Sequence, residues 1–118
     1  MKNQNIGNTM NEIKQENNYA LRKIRYQETQ IANICDLNLI GKEINQEDFT
    51  INISKDYFYS EEITNDDAIK ILNSSSIINL VGKNIVDLAL SLNLAKKNSV
   101  KTIEGVPFLM IFKFKGVY

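Results

Sequence analysis

Residues 82–84 have the types and spacing that could bind a phosphate. Gly82, Lys83 and Asn84 stand where a helix is predicted to begin, and the free backbone amides of a helix start attract anions. The rest of a P-loop pattern is missing, so a simple turn between two packed segments explains the same residues. We name the three residues as a candidate anion-binding site and keep the turn as the alternative.

A second group is basic and lies mainly on the first predicted strand. Its members are Arg22, Lys23, Arg25 and Tyr26, joined by Lys113 and Lys115 if the first and last strands are neighbours. Lysine and arginine along one sheet face suit contacts with the phosphates of RNA. Ordinary solvated strand charges are the alternative. We predict from this group a surface for RNA or a ribonucleoprotein.

A third group is aromatic. Tyr57, Phe58 and Tyr59 precede Glu61 and Glu62. Aromatic side chains pack over sheet edges, stack on bases or anchor a protein partner. The second functional hypothesis is therefore a protein-interaction or assembly module that uses this aromatic and acidic segment.

Composition removes most catalytic chemistry. The chain has no histidine, no tryptophan and a single cysteine, Cys35, which excludes Ser/His/Asp and Cys/His arrangements and zinc sites of several Cys or His ligands. The adjacent carboxylates of Asp66 and Asp67 diverge, and a helix start accounts for them. We expect no metal and no cofactor. An enzyme acting on a phosphorylated small molecule at Gly82 and Lys83 ranks third.

Length and charge indicate one small, electrically balanced domain. The chain has 118 residues, with 14 basic and 14 acidic side chains, so no overall field attracts nucleic acid or membrane. Cys35 alone cannot form an internal disulfide, and we expect it to be a buried strand residue. Without an apolar leader or membrane span, we expect a cytoplasmic protein. Residues 1–18 are predicted to be a disordered Asn/Gln-rich tail, and residues 19–118 a single domain.

The strands that must position these groups follow from alternation and short apolar runs. Predicted strands cover 21–26, 30–35, 49–53, 100–103 and 108–114. Because residues 108–112 are apolar at both odd and even positions, both faces of the last strand are apolar, and this strand should be central or covered on both faces. The run 77–81 is ambiguous between a helical turn and a buried strand.

Two helices complete the predicted domain. Thr64 followed by Asp66 and Asp67 indicates an N-cap for a helix over 65–73. A second helix over 83–93, with a wide apolar face, ends at Asn93. The fold class is therefore α+β, a mainly antiparallel sheet of about five strands with two helices.

Four blocks in this order resemble the archaeal family known as domain of unknown function 424. They are Leu39-Ile40-Gly41-Lys42, Asp56-Tyr57-Phe58-Tyr59, Ile78-Asn79-Leu80-Val81-Gly82-Lys83 and Glu104-Gly105-Val106-Pro107. The resemblance covers 21–112. The family pattern has a glycine and a histidine where this chain has Ser60 and Phe108.

The resemblance implies an archaeal cytoplasmic protein without an established activity. Loss of the histidine at Phe108 favours a binding or structural role over catalysis. Together with the basic cluster, it leads to the first hypothesis, a non-enzymatic accessory domain that binds RNA or a translation-related ribonucleoprotein.

Overall fold

The computed structural model describes residues 16–113. The strands are β1 (Asn17–Tyr26), β2 (Thr29–Asp36), β3 (Glu43–Gln46), β4 (Phe49–Asn52), β5 (Glu61–Thr64), β6 (Ile77–Val81), β7 (Lys101–Ile103) and β8 (Val106–Phe112). The helices are α1 (Lys55–Phe58), α2 (Asn65–Ser74) and α3 (Lys83–Ser91), with 3₁₀ turns at Leu37–Leu39 and Lys97–Ser99.

Six strands form one sheet in the order β5-β1-β2-β6-β8-β7, and β3 and β4 form a separate hairpin. All pairs in the six-stranded sheet are antiparallel except β2 with β6. The predicted α+β class is confirmed. The expected five strands are too few, because β3 and β5 are four-residue strands with little periodic signal, and because the ambiguous run 77–81 is a central strand.

One side of the sheet, the helix face, is covered by α2 and α3. Leu21, Ile34, Leu80 and Leu109 occupy adjacent strands there and are almost fully buried with residues from both helices. The Thr64 hydroxyl accepts a hydrogen bond from the Asp67 amide at 3.1 Å, which confirms the predicted N-cap of α2.

The opposite side, the second face, is covered over only part of its length. Cys35 and Val81 pack there against Ile44 and Ile53 of the hairpin region. Cys35 is 0% exposed, as predicted for a buried strand residue. The main core therefore lies on the helix face, and a smaller core lies beneath the hairpin.

The α3 helix ends close to its predicted limit. The last helical residue is Ser91, and Asn93 follows with a φ of 60°, the left-handed conformation that ends helices. Of the predicted tail, 1–18, residues 1–15 lie outside the described part of the chain. Residues 17 and 18 belong to β1.

Candidate functional site

An apolar row on the second face runs across four central strands. Ile24, Ile31, Ile77 and Phe112 are aligned in register through β1, β2, β6 and β8. Side chains alternate between the two sides of a sheet, so these four residues lie on the side opposite to the helix-face core. We call this row, together with Met110 of the next row, the open face.

No element among residues 16–113 covers the open face as the helices cover the other side. The exposed fraction is 60% for Phe112 and 58% for Met110, while the three isoleucines are half-buried. Large apolar side chains that are exposed next to one another mark a contact surface more often than scattered single ones do.

A second row, polar on three of its four strands, lies between the apolar row and the covered part. Arg22, Asn33, Asn79 and Met110 are aligned on the same four strands. The Asn33 amide donates to the Tyr57 carbonyl at 3.0 Å, and Asn79 donates to Asn33 Oδ1 at 2.8 Å. The Arg22 guanidinium donates to the Asp56 carbonyl at 2.7 Å. These bonds attach α1 to the sheet at the boundary of the open face.

The predicted basic group on β1 is divided between the two sides. By the alternation of side chains along β1, Arg22 and Tyr26 lie on the same side of the sheet as the open face, whereas Lys23 and Arg25 lie on the helix face. Tyr26 is 67% exposed at the end of the strand. The four side chains therefore do not form one continuous cationic stripe.

Lys113 would join this group only if the first and last strands were neighbours, and they are not. Strands β2 and β6 lie between β1 and β8. The run 77–81, which is ambiguous in the sequence, forms β6. The Lys113 ammonium instead donates to the Leu72 carbonyl near the C-terminal end of α2, where a helix favours a cation. Lys115 lies outside the described residues.

At the predicted anion-binding site, the amides already have a partner. The Asp36 carboxylate accepts from the amides of Asn84 and Ile85, each at 2.9 Å. Burial raises the pKa of Asp36, although those two bonds oppose the rise. Lys83 pairs with Asp87 at 2.6 Å, which raises the pKa of Lys83. An anion at Gly82, Lys83 and Asn84 would have to compete with both carboxylates.

Gly82 is required by this capping arrangement. Its φ is 119°, and a Cβ added there would collide with the Asp36 side chain. A neighbouring pocket of about 290 Å³ is lined by residues from three of the four family-like blocks, including Leu39, Lys83 and Val106. The helix start and its surroundings therefore have a structural explanation, and the anion site stays a prediction.

The aromatic group has three different environments. Tyr57 is 67% exposed, and its backbone carbonyl accepts from Asn33, whereas Phe58 packs against the smaller core. The Tyr59 hydroxyl donates to Glu62 at 2.6 Å, which raises the pKa of Tyr59. Of the three, Tyr57 is the side chain that a partner could contact most readily.

Metal ligands and membrane helices were sought among residues 16–113. No three acidic or cysteine side chains there come together in a way that could hold a metal ion. Within the same range, no helix has the length and apolar character needed to cross a bilayer.

These observations define a small α+β domain with a helix-covered sheet and an exposed apolar half-face. The chain belongs to the family described as "Protein of unknown function (DUF424)", whose model matches residues 24–114. Among curated proteins, none matches significantly.

A solved structure shows the same fold. The crystal structure of an uncharacterized conserved protein from Methanopyrus kandleri matches with a TM-score of 0.70 at 21% sequence identity. The match covers 85% of this chain and 96% of that one. At this identity the likeness establishes the fold alone.

The sequence did not reveal Met110 and Phe112 as surface residues. The run 108–112 predicted a strand that is central or covered on both faces, and β8 does lie inside the sheet between β6 and β7. The first alternative therefore holds and the second does not, because the second face is left open at Met110 and Phe112. A hairpin too short to cover the whole face explains the difference.

Proposed function

We propose that this chain is a protein-interaction module that binds an amphipathic helix of a partner protein on the open face. The observation that carries the proposal is the exposure of Phe112, 60%, in an apolar row that crosses four strands, and of Met110, 58%, in the next row. Burying such side chains against a partner stabilises a complex by about 25 cal/mol for each Å² of apolar surface removed from water.

The size and chemistry of the open face favour a helix as the occupant. Three strand spacings of about 4.8 Å make the apolar row roughly 14 Å long, the length of a helix of about ten residues. Helices already cover the other side of the same sheet through apolar stripes. Neither row contains a carboxylate, and Arg22 supplies a positive charge, so the partner helix should carry acidic residues beside its apolar stripe.

This proposal develops the aromatic-segment hypothesis. Tyr57 is retained as an exposed residue whose carbonyl is bound to Asn33 next to the open face, and the centre of the proposed surface moves from 57–59 to the sheet. RNA or ribonucleoprotein binding, which would place the chain in translation, has less support because Lys23 and Arg25 lie on the side opposite Arg22. A stacked-base surface would also need more positive charge than the open face has.

The test uses a photocrosslinking amino acid, p-benzoylphenylalanine, in place of Phe112 in the full chain, in a native cell lysate with and without RNase. The matched control carries the same probe at Phe49, which is also an exposed aromatic residue (56%) but lies on β4. We expect RNase-resistant crosslinks from position 112 to an amphipathic, acidic helical peptide, and at least fivefold fewer from position 49.

A second variant tests whether the apolar surface itself binds. Met110→Glu in the chain with the probe at 112 should abolish the crosslink without changing the melting temperature by more than a few degrees, because the side chain is solvent-exposed. Equal crosslinking from positions 112 and 49 would contradict the proposal. So would RNA as the crosslinked species, or a second copy of this chain.

A further inference from the structure

A cavity of about 420 Å³ lies on the covered part of the second face, between the sheet and the hairpin strand β4. Its apolar lining comes from both layers and includes Ile51, Ile53, Phe58, Val81, Phe108 and Met110. Sites for small molecules are commonly apolar cavities of roughly 300–1,000 Å³ that hold a few polar groups. The volume and the lining of this cavity fit that description.

The polar groups are few, and only one of them is charged. Asn52, Asn79, Ser99 and Lys101 contribute to the lining, and Asn79 already donates to Asn33. Lys101 lies on the edge strand β7, beside Phe108 in register. Among residues 16–113, the structure shows no ion pair for Lys101, whereas Lys83 pairs with Asp87. The cavity therefore combines an apolar body with a cation that has no charged partner in the described part of the chain.

We infer that this cavity binds a small monoanionic amphiphile, a molecule with an apolar body and a single carboxylate. The apolar body lies between β4 and the sheet, and the carboxylate pairs with Lys101. The cavity shares Met110 with the open face, but its lining does not include Phe112 or the three isoleucines of the open face.

The same charge argument selects against other ligands. A dianionic phosphate ester would leave one charge without a cation in an apolar surrounding, which is unfavourable. A neutral alcohol of the same length fills the apolar part but makes no ion pair. Comparing an acid with its alcohol therefore isolates the contribution of Lys101.

The experiment titrates the purified full chain with decanoate, and separately with decan-1-ol, by isothermal calorimetry and by amide chemical-shift mapping. We expect decanoate to shift amides of β4, β7 and β8 around the cavity. Lys101→Ala should weaken decanoate binding about fivefold at low salt and leave decanol binding unchanged, since a partly exposed ion pair contributes modestly.

Two control variants make the result specific. Lys97→Ala removes a lysine on the nearby 3₁₀ turn that does not line the cavity, and it should bind decanoate as the parent chain does. Phe112→Asp should also keep decanoate binding while losing the helical partner, so the two proposals fail independently. The inference is overturned if decanoate does not bind, if Lys97→Ala and Lys101→Ala weaken it equally, or if the shifted amides cluster around Ile24, Ile31 and Ile77.

Discussion

At the scale of single residues, Asp36 fixes a helix that begins far along the chain. Its carboxylate accepts from the amides of Asn84 and Ile85, 48 and 49 residues away. The side chain belongs to β2, and the amides open α3. A buried carboxylate that accepts two backbone hydrogen bonds acts as the N-cap that the helix lacks in its own sequence, because Gly82 has no side chain to cap it.

Replacing Asp36 should therefore destabilise the whole domain. Asp36→Ala leaves the two amides without an acceptor, and we expect a loss of about 2 kcal/mol in the free energy of unfolding. Urea denaturation measures this loss. Asp36→Asn keeps one acceptor oxygen and should lose less, so equal losses for the two variants would show that the capping bonds are not responsible.

Cys35 provides a second test at this scale. Burial, with a smaller effect from the Asp36 charge, raises the pKa of the thiol from 9.0 to about 12. At pH 9 about half of the thiols in the unfolded chain are thiolate, against about one in a thousand in the folded chain. Only the thiolate reacts with iodoacetamide.

We therefore expect slow labelling of native Cys35 at pH 9 and fast labelling in urea, at least a hundredfold apart. Mass spectrometry over time measures both rates. Comparable rates would mean that the thiol is accessible and that β2 is not covered on its second face.

At the scale of elements, α1 is held by polar contacts more than by its own sequence. It is four residues long, too short to be stable alone in water. Asn33 links it to the sheet by donating to the Tyr57 carbonyl and accepting from Asn79. Arg22 adds a bond to the Asp56 carbonyl.

Asn33→Leu should release this helix. The change leaves the Tyr57 carbonyl and the Asn79 amide without a partner in a site where Asn33 is 6% exposed. We expect a loss of about 1–3 kcal/mol in unfolding free energy, with faster hydrogen exchange across α1. Thr50→Ala, which removes an exposed bond to Asn45, is the matched control and should change stability by less than about 0.5 kcal/mol. Unchanged exchange in α1 would contradict this role of Asn33.

At the scale of the whole molecule, stability should be highest in the middle of the sheet. Strands β2 and β6 are the third and fourth of six strands, and their helix-face residues Ile34, Ile78 and Leu80 are at most 1% exposed. The hairpin β3–β4 forms a separate two-stranded sheet, and such a pair is marginally stable without packing.

Native-state hydrogen exchange should reflect this arrangement. Amides of β2 and β6 should exchange only by global unfolding, whereas those of β3 and β4 should exchange through local opening with a lower free energy. The protection factors, followed by NMR at low denaturant, measure both. Equal protection in the hairpin and in β6 would show that the hairpin unfolds together with the sheet.

Parts of the fold could be predicted from local patterns, whereas the exposed residue at the centre of the candidate site could not. Period-two alternation is strong at 49–53, so a strand was expected there, and Thr64 with its acidic neighbours identified the start of α2. These signals are local, since each depends on a few consecutive residues. The exposure of Phe112 has no local signal, because it depends on whether another element covers that part of the sheet.

The sequence by itself determined the α+β class, both long helices with the N-cap of α2 and the stop of α3 near Asn93, the burial of Cys35 and the family resemblance, which the family match over residues 24–114 bears out. The tertiary structure decided the strand order, and with it the separation of Lys113 from the basic residues of β1. It also decided that Asp36 caps α3 and that Met110 and Phe112 stay exposed. The physical reason is that propensity and periodicity act within a few residues, whereas strand pairing, distant capping and coverage of a face depend on long-range packing.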